Sequence, residues 1–275
     1  MSVSTSNWQG SAMLVNVPRA RRLAPWFVAE YRLRVMSKWM FELIGFGIGN
    51  PIIYLFAVGL GIGSLINRDV DGVSYLEFLA PALLSTSAIM AAMDECMFPV
   101  MEGFVWVKSF WTISATQVTP RQIAVGVWLS AAIRAAGTII LYLAVLLAFG
   151  AVPLAATPAL FISALVAGLC FGTVMMAATS FRADDGQFIN VVFRFVIMPM
   201  FLFSGTFYPL SQTPIYLQWI GWISPLWHAT DLGRFLSYGS EMSPWMVLAH
   251  VGYLLLIAVV GFSITFRQFD KRLQS

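Results

Sequence analysis

The stretch Pro199-Met-Phe-Leu-Phe-Ser-Gly205-Thr-Phe-Tyr-Pro-Leu210, continued by Ile215-Tyr-Leu-Gln-Trp219-Ile-Gly-Trp222-Ile-Ser-Pro225-Leu-Trp-His228-Ala-Thr-Asp231-Leu-Gly-Arg234, decides the fold. Residues 199–205 close an apolar span, and Thr206–Leu210 breaks it. The part that follows is too amphipathic to cross a bilayer and too apolar to float free. A further apolar span then runs from about Trp245 to Phe266. This intervening segment is therefore expected to lie in the membrane interface, or to dip into it and return. Trp219, Trp222 and Trp227, with Tyr208, Tyr216 and Tyr238, suit an interfacial aromatic belt. Asp231 and Arg234, three apart, are expected to pair on one helical face.

Working outward, the whole chain has the same character. Of its 275 residues, 59% are hydrophobic and 11% charged, with a mean hydropathy of +0.79. Soluble domains carry about 25% charged residues, so the chain reads as an all-α polytopic membrane protein. At about 20 residues per span, six helices and short loops use up its length, and no room remains for a soluble catalytic domain. The spans are expected at Phe41–Ile66, Phe78–Met97, Ile123–Phe149, Pro158–Phe181, Phe188–Tyr208 and Trp245–Phe266. All belong to one transmembrane domain over 1–275: a basic arm (1–22), an amphipathic interface helix (23–38), the six-helix body (41–266) and a tail (267–275). The polar, basic first 38 residues lack the apolar core of a signal peptide.

Lys and Arg set the orientation. Arg19, Arg21, Arg22, Arg32, Arg34, Lys38, Lys108, Arg121, Arg182, Arg267, Lys271 and Arg272 fall on one side, against Arg68 and Arg234 on the other. Both termini are thus expected in the cytoplasm. Residues 23–38 mix Trp26, Phe27, Leu33 and Val35 with Arg32 and Arg34, as in a helix whose basic face meets lipid phosphates.

Ionisable groups inside spans are costly and need an explanation. Asp94 and Glu95 stand near the cytoplasmic end of the second span, with Glu102 about two turns on. They either anchor the following cytoplasmic helix, pair with Arg from a neighbouring span, or form a solvated helix end. A proton relay would want carboxylates nearer mid-membrane on several helices. Arg134 lies near mid-depth of the third span and is expected to pair inward, with Asp94, Glu95 or a polar cavity as candidates. Arg194, about two turns into the fifth span, can snorkel to the inner surface.

Other chemistries are poorly served. No Walker A pattern occurs, so any ATP hydrolysis belongs to another polypeptide. The runs Gly45-x-Gly-x-Gly49 and Gly59-x-Gly-x-Gly63 sit inside an apolar span and are read as helix-packing sites. Cys96 and Cys170 fall inside spans and read as buried apolar residues. His228 and His250 are 22 apart, without metal-ligand spacing. His228 with Asp231 is the one candidate for a membrane enzyme, and no nucleophile accompanies it. The net charge of +3 gives no sign of a nucleic-acid partner. Membrane lipids are the expected surroundings.

Several segments carry a resemblance. They are Asn50-Pro-x-x-Tyr-Leu-Phe56, Gly59-x-Gly61, Asp71-Gly-Val-Ser-Tyr75, Phe78-Leu-Ala80 and Thr86-Ser87-Ala88. Near the end come Pro199-Met-x-Phe-x-Ser-Gly205, Pro209, Pro225-Leu226, His228, Asp231-Leu232 and Arg234. In order and spacing the chain resembles the membrane subunit of type-2 ATP-binding-cassette exporters, most of all the nodulation-factor and lipooligosaccharide-export permeases.

The resemblance implies a homodimer of permeases in a bacterial cytoplasmic membrane, with two copies of a separate ATPase subunit. ATP and Mg would be bound on that partner and no cofactor on this chain. Residues around 102–118 would be the coupling helix, with Glu102, Trp106, Lys108 and Trp111 facing the ATPase; alone, this loop also suits a generic membrane-surface segment. The outer segment 210–236, with Trp219, Trp222, Pro225, His228, Asp231 and Arg234, would be re-entrant, some rings lining an exit path for sugars or apolar cargo. A lipid-linked saccharide, glycolipid or amphipathic compound is the expected cargo. Drug efflux is the alternative within the family, and an ion-coupled carrier the alternative outside it.

Overall fold

The computed structural model describes residues 17–65, 69–182 and 187–274. Among them the regular secondary structure is helical, with one isolated antiparallel bridge between Val70 and Val73. We label the helices α1 (Val17–Ser37), α2 (Met40–Leu65), α3 (Tyr75–Trp106), α4 (Ser109–Ser114) and α5 (Pro120–Ala148). They are followed by α6 (Thr157–Ser180), α7 (Gln187–Phe203), α8 (Ile215–Ile223), α9 (Pro225–Tyr238) and α10 (Pro244–Leu273). The arm before residue 17, Arg68, and Asp184 and Asp185 of the loop before α7 lie outside the described residues.

Among the described residues five helices, α2, α3, α5, α6 and α10, are long and apolar enough to cross a membrane. Six spans are expected from the sequence. The fifth, Phe188–Tyr208, corresponds to the shorter α7, which stops at Phe203. Ser204 and Gly205 break it there, with Gly205 in the left-handed region at φ 72°, where a Cβ would be strained.

Local chemistry sets the helix starts. Ser74 and Glu77 form a reciprocal capping box before α3, as do Thr119 and Gln122 before α5, where Pro120 takes the first position. Ser224 Oγ accepts from the Leu226 amide at the start of α9. Three helices contain π turns, at Leu55–Ile62 in α2, Glu102–Trp106 at the end of α3 and Phe193–Ile197 in α7. Such wide turns inside helices often mark functional positions.

Helices α3 and α6 form the centre. In α3, 72% of the most apolar stretch is buried, against 17% in α10, which lies at the periphery. Leu79, Leu83, Leu84, Ile139, Leu146 and Leu160 make one buried cluster from α3, α5 and α6. Cys96 and Cys170 are free and buried within this helical body.

Helix α1 lays Ala24, Val28 and Ala29 against α5 and leaves Leu23, Trp26, Phe27 and Tyr31 exposed. A Cβ on Gly126 of α5 would stand 2.5 Å from Val28 Cβ and 2.7 Å from the Pro25 carbonyl oxygen, so this seat needs glycine. The glycine runs of α2 divide: a Cβ on Gly59 would meet Leu76 of α3 at 2.6 Å, whereas Gly45 and Gly49 have nothing within 4 Å.

Candidate functional site

Five charged side chains meet where α1, α3 and α5 come together. Arg134 of α5 donates from Nη2 to Asp94 Oδ2 at 3.1 Å and from Nη1 to Glu95 Oε2 at 3.5 Å. Arg32 of α1 donates from Nε to Glu95 Oε1 at 3.2 Å and from Nη1 to Glu102 Oε2 at 2.7 Å. Ser130 Oγ stands 3.3 Å from Glu95 Oε1. Glu95 is 3% exposed and Arg32 8%. Charges buried this deeply are tolerated only when paired and hydrogen-bonded.

Arg134 thus reaches both of the carboxylates that its sequence position makes candidates. Two expectations change. Arg34 remains at the surface, pairing with Glu30 at 2.6 Å, but Arg32 turns away from any lipid headgroup because buried carboxylates claim it. Glu102, expected to face a partner, points its carboxylate inward to Arg32. Sequence reasoning missed the role of Arg32, although its register holds the signal. It follows Ala24 and Val28 at steps of four and so belongs to the buried stripe of α1.

Arg134 and Asp94 also line a half-open cavity of about 390 Å³ between α2, α3, α5 and α7. Asn50, Thr138 and Tyr142 contribute polar groups to it, and Ile89, Met90, Phe193 and Phe201 apolar ones. The Tyr142 hydroxyl and Arg134 Nε are buried and have no hydrogen-bond partner among the described residues. Arg194 is exposed on the π turn of α7.

Below the charge cluster, the π turn Glu102–Trp106 leads to Lys108, whose φ of 58° makes a sharp corner before the short α4. Phe110 of α4 is buried against Phe104, and both pack on Phe269 of α10. The Arg272 guanidinium lies 4.1 Å over the Phe104 ring and donates to the Ser180 and Arg182 carbonyls. Trp106, Val107 and Trp111 remain exposed, forming an apolar ridge on a firmly seated base.

Helices α8 and α9 are built differently. On α8, Trp219 and Trp222 are exposed, while on α9 Pro225, His228 and Arg234 are buried. The expected Asp231–Arg234 pair does not form. Arg234, 4% exposed, donates to the Gly205 carbonyl at 2.7 Å and lies 3.6 Å over the Phe78 ring. Burial lowers its guanidinium to about 10. Asp231 instead stands 3.3 Å from His250 Nε2, without the alignment of a hydrogen bond. The Tyr75 hydroxyl donates to the Phe207 carbonyl, giving the break after α7 a second tie to α3.

His228 meets His250 of α10, Nδ1 to Nδ1, at 2.7 Å, and its Nε2 lies 3.0 Å from the Trp222 carbonyl. A carbonyl can only accept, so His228 Nε2 carries a proton. In the neutral ring Nδ1 then accepts from His250. Burial, the largest influence, lowers His228 to about 4. Tyr253 stacks on the same ring at 3.9 Å. The fold brings together two histidines that are 22 apart in sequence, a pairing that spacing along one helix cannot show.

Known proteins resemble this chain in sequence. The family described as ABC-2 type transporter matches residues 32–238. Nodulation protein J of Rhizobium leguminosarum bv. viciae is 33% identical over 230 residues, which is 82% of this chain and 86% of that protein. Nodulation protein J of Rhizobium meliloti (strain 1021) is also 33% identical over 230 residues, covering 82% and 85%. That of Sinorhizobium fredii (strain NBRC 101917 / NGR234) is 28% identical over 259 residues, covering 91% and 95%.

Proposed function

The chain belongs to the ABC-2 type transporter family, and on that premise we propose that it exports a lipid-linked saccharide, glycolipid or similar amphipathic compound, driven by ATP. It is a transport subunit without an ATPase site of its own, a multi-pass protein of the bacterial inner membrane. The family implies an ATP-binding partner subunit. In this proposal two copies of that partner bind ATP and Mg and serve a homodimer of the permease. Membership of a family does not fix a cargo.

The observation that carries the cargo class is the two-sided lining of the cavity. Asn50, Thr138 and the Asp94–Arg134 pair offer hydrogen bonds and charge, and Ile89, Met90, Phe193 and Phe201 offer an apolar wall. A compound with a polar head and a hydrocarbon part satisfies both; a purely polar solute leaves the wall wet, and a purely apolar one leaves the polar groups unpaired.

The topology follows the same proposal. Helix α7 completes six spans by reaching from the inner surface to the break at Ser204, and both termini face the cytoplasm. Helix α1 is the interface helix, and residues 210–236 form the outer re-entrant segment. The exposed Trp106, Val107 and Trp111, with Lys108 at the corner, seat in the ATPase as the coupling helix. This is supported by the excess of Lys and Arg on that side of the chain and by an apolar ridge on a rigid base.

Purification of the tagged chain from its native membranes, followed by an ATPase assay, tests the proposal. An ATP-binding subunit at near-equal stoichiometry with vanadate-sensitive hydrolysis, stimulated by a short-chain glycolipid, is expected. Stimulation by a cationic dye alone would move the cargo to drug efflux. A chain that purifies alone and shows no nucleotide dependence in vesicles sinks the ATP-driven proposal in favour of an ion-coupled carrier.

A further inference from the structure

We propose that Glu95 is a positioning residue through which movement of the cytoplasmic helices is felt at the cavity. The proposal rests on the ATP-driven reading above. Its physical basis is an unbroken sequence of charged contacts. Asp94 and Arg134 form part of the cavity wall. Arg134 touches Glu95, Glu95 touches Arg32 of α1, and Arg32 touches Glu102, which begins the π turn leading to α4. Between the cavity and the cytoplasmic corner, each contact is made across two separate stretches of chain.

The arrangement is asymmetric in a way that permits exchange. Three carboxylates share two guanidinium groups, and Glu95 gives one oxygen to each. The Arg32–Glu102 contact is tight at 2.7 Å. The cavity end is slack: Arg134 stands 3.5 Å from Glu95, and its Nε is buried without a partner among the described residues. If α1 and the Glu102 turn shift together, Arg32 leaves Glu95. A carboxylate this deeply buried cannot stay unpaired, so it closes on Arg134 and draws that side chain from Asp94 and the cavity. The reverse shift relaxes Arg134 toward Asp94. Two discrete pairings of one carboxylate supply the bistable element that coupling between distant sites requires.

Linkage makes the effect reciprocal: whatever holds Arg134 in the cavity must bias the position of α1 by the same factor. A purely structural staple would lack this property. It would lower stability when removed without changing how the cavity answers ATP.

The test uses the permease with its ATPase partner in lipid vesicles. Thr138→Cys places a reporter in the cavity wall outside the charge cluster, and the buried Cys96 and Cys170 give low background. The rate of labelling by a water-soluble maleimide is compared without nucleotide and after vanadate trapping. We expect trapping to change that rate. In the Glu95→Gln background the change should shrink by about five- to tenfold, while Glu95→Asp keeps part of it.

A Glu95→Gln complex that folds, hydrolyses ATP and shows the full change overturns the proposal. If that variant does not fold, Glu102→Gln, at the half-exposed end of the cluster, takes its place, and an unaltered response there is equally fatal. A Thr138→Cys complex that hydrolyses ATP with no change in labelling also overturns it. Absence of any ATPase partner or hydrolysis would instead remove the exporter reading itself.

Discussion

In the proposed orientation, the inner and outer ends of this protein both bury polar and charged side chains, and they hold them by different means. At the inner end, Arg32 and Arg134 are held by Glu95, Glu102 and Asp94 from other helices. At the outer end, Arg234 is held by the Gly205 backbone carbonyl and the face of Phe78, and the neutral His228 by another histidine and the Trp222 carbonyl. A carboxylate on a rotatable side chain can change partners, whereas a backbone carbonyl cannot leave its turn. In the proposal above, the inner end is therefore the one that rearranges and the outer end the one that stays fixed.

The sharpest way to break that contrast is Arg234→Leu. It orphans a buried carbonyl and removes a cation from an aromatic face, which should cost about 2–4 kcal/mol. We expect a large drop in the thermal midpoint in detergent, and Arg234→Lys should recover only part, since an ammonium does not reproduce the flat guanidinium fork. An unchanged midpoint would show that the outer end is not stapled there.

Acidification tests the same end more gently. His228 is held near 4 when folded and returns to its ordinary value of about 6.5 when unfolded. Between these values the unfolded chain binds more protons, so stability should fall as pH drops from about 6.5 towards 4, by roughly 1–3 kcal/mol. His228→Gln should lose most of this slope in the same denaturation series. A slope that survives the substitution would assign it to other groups.

The smallest effect on the fold is expected at Trp106→Ala. Trp106 is 47% exposed, so stability should change by less than about 0.5 kcal/mol. The ATPase assay should nevertheless lose permease-dependent stimulation. Full stimulation would detach the apolar ridge from partner docking and leave the inner end without a visible input.

Much of this organisation is legible in the sequence because it rests on local rules. Apolar runs mark α2, α3, α5, α6 and α10, Thr119-Pro120 marks the start of α5, and the cost of an intramembrane charge predicts a partner for Arg134. What escapes is decided by contacts between helices. Spacing along α9 puts Asp231 and Arg234 on one face, yet the turn at Gly205 and the ring of Phe78 outbid Asp231 for the guanidinium. Composition makes Arg32 one more basic residue of an interfacial helix, and only the buried stripe of Ala24 and Val28 reveals which way it points. Nothing local joins His228 to His250, since the turn between α9 and α10 sets their meeting.

The wide turns at Leu55–Ile62 and Phe193–Ile197 give the cavity an unusual route of variation. Each holds an extra residue relative to an α turn, and both lie in helices that wall the cavity. Deleting one residue from 193–197 would turn the wide turn into an ordinary α turn, leaving Gln187–Val192 and Met198–Phe203 facing as they do and changing only the side chains of the turn itself. Single-residue insertions and deletions are thus absorbed at these turns, where the cavity wall can gain or lose a side chain without re-registering the helix on either side.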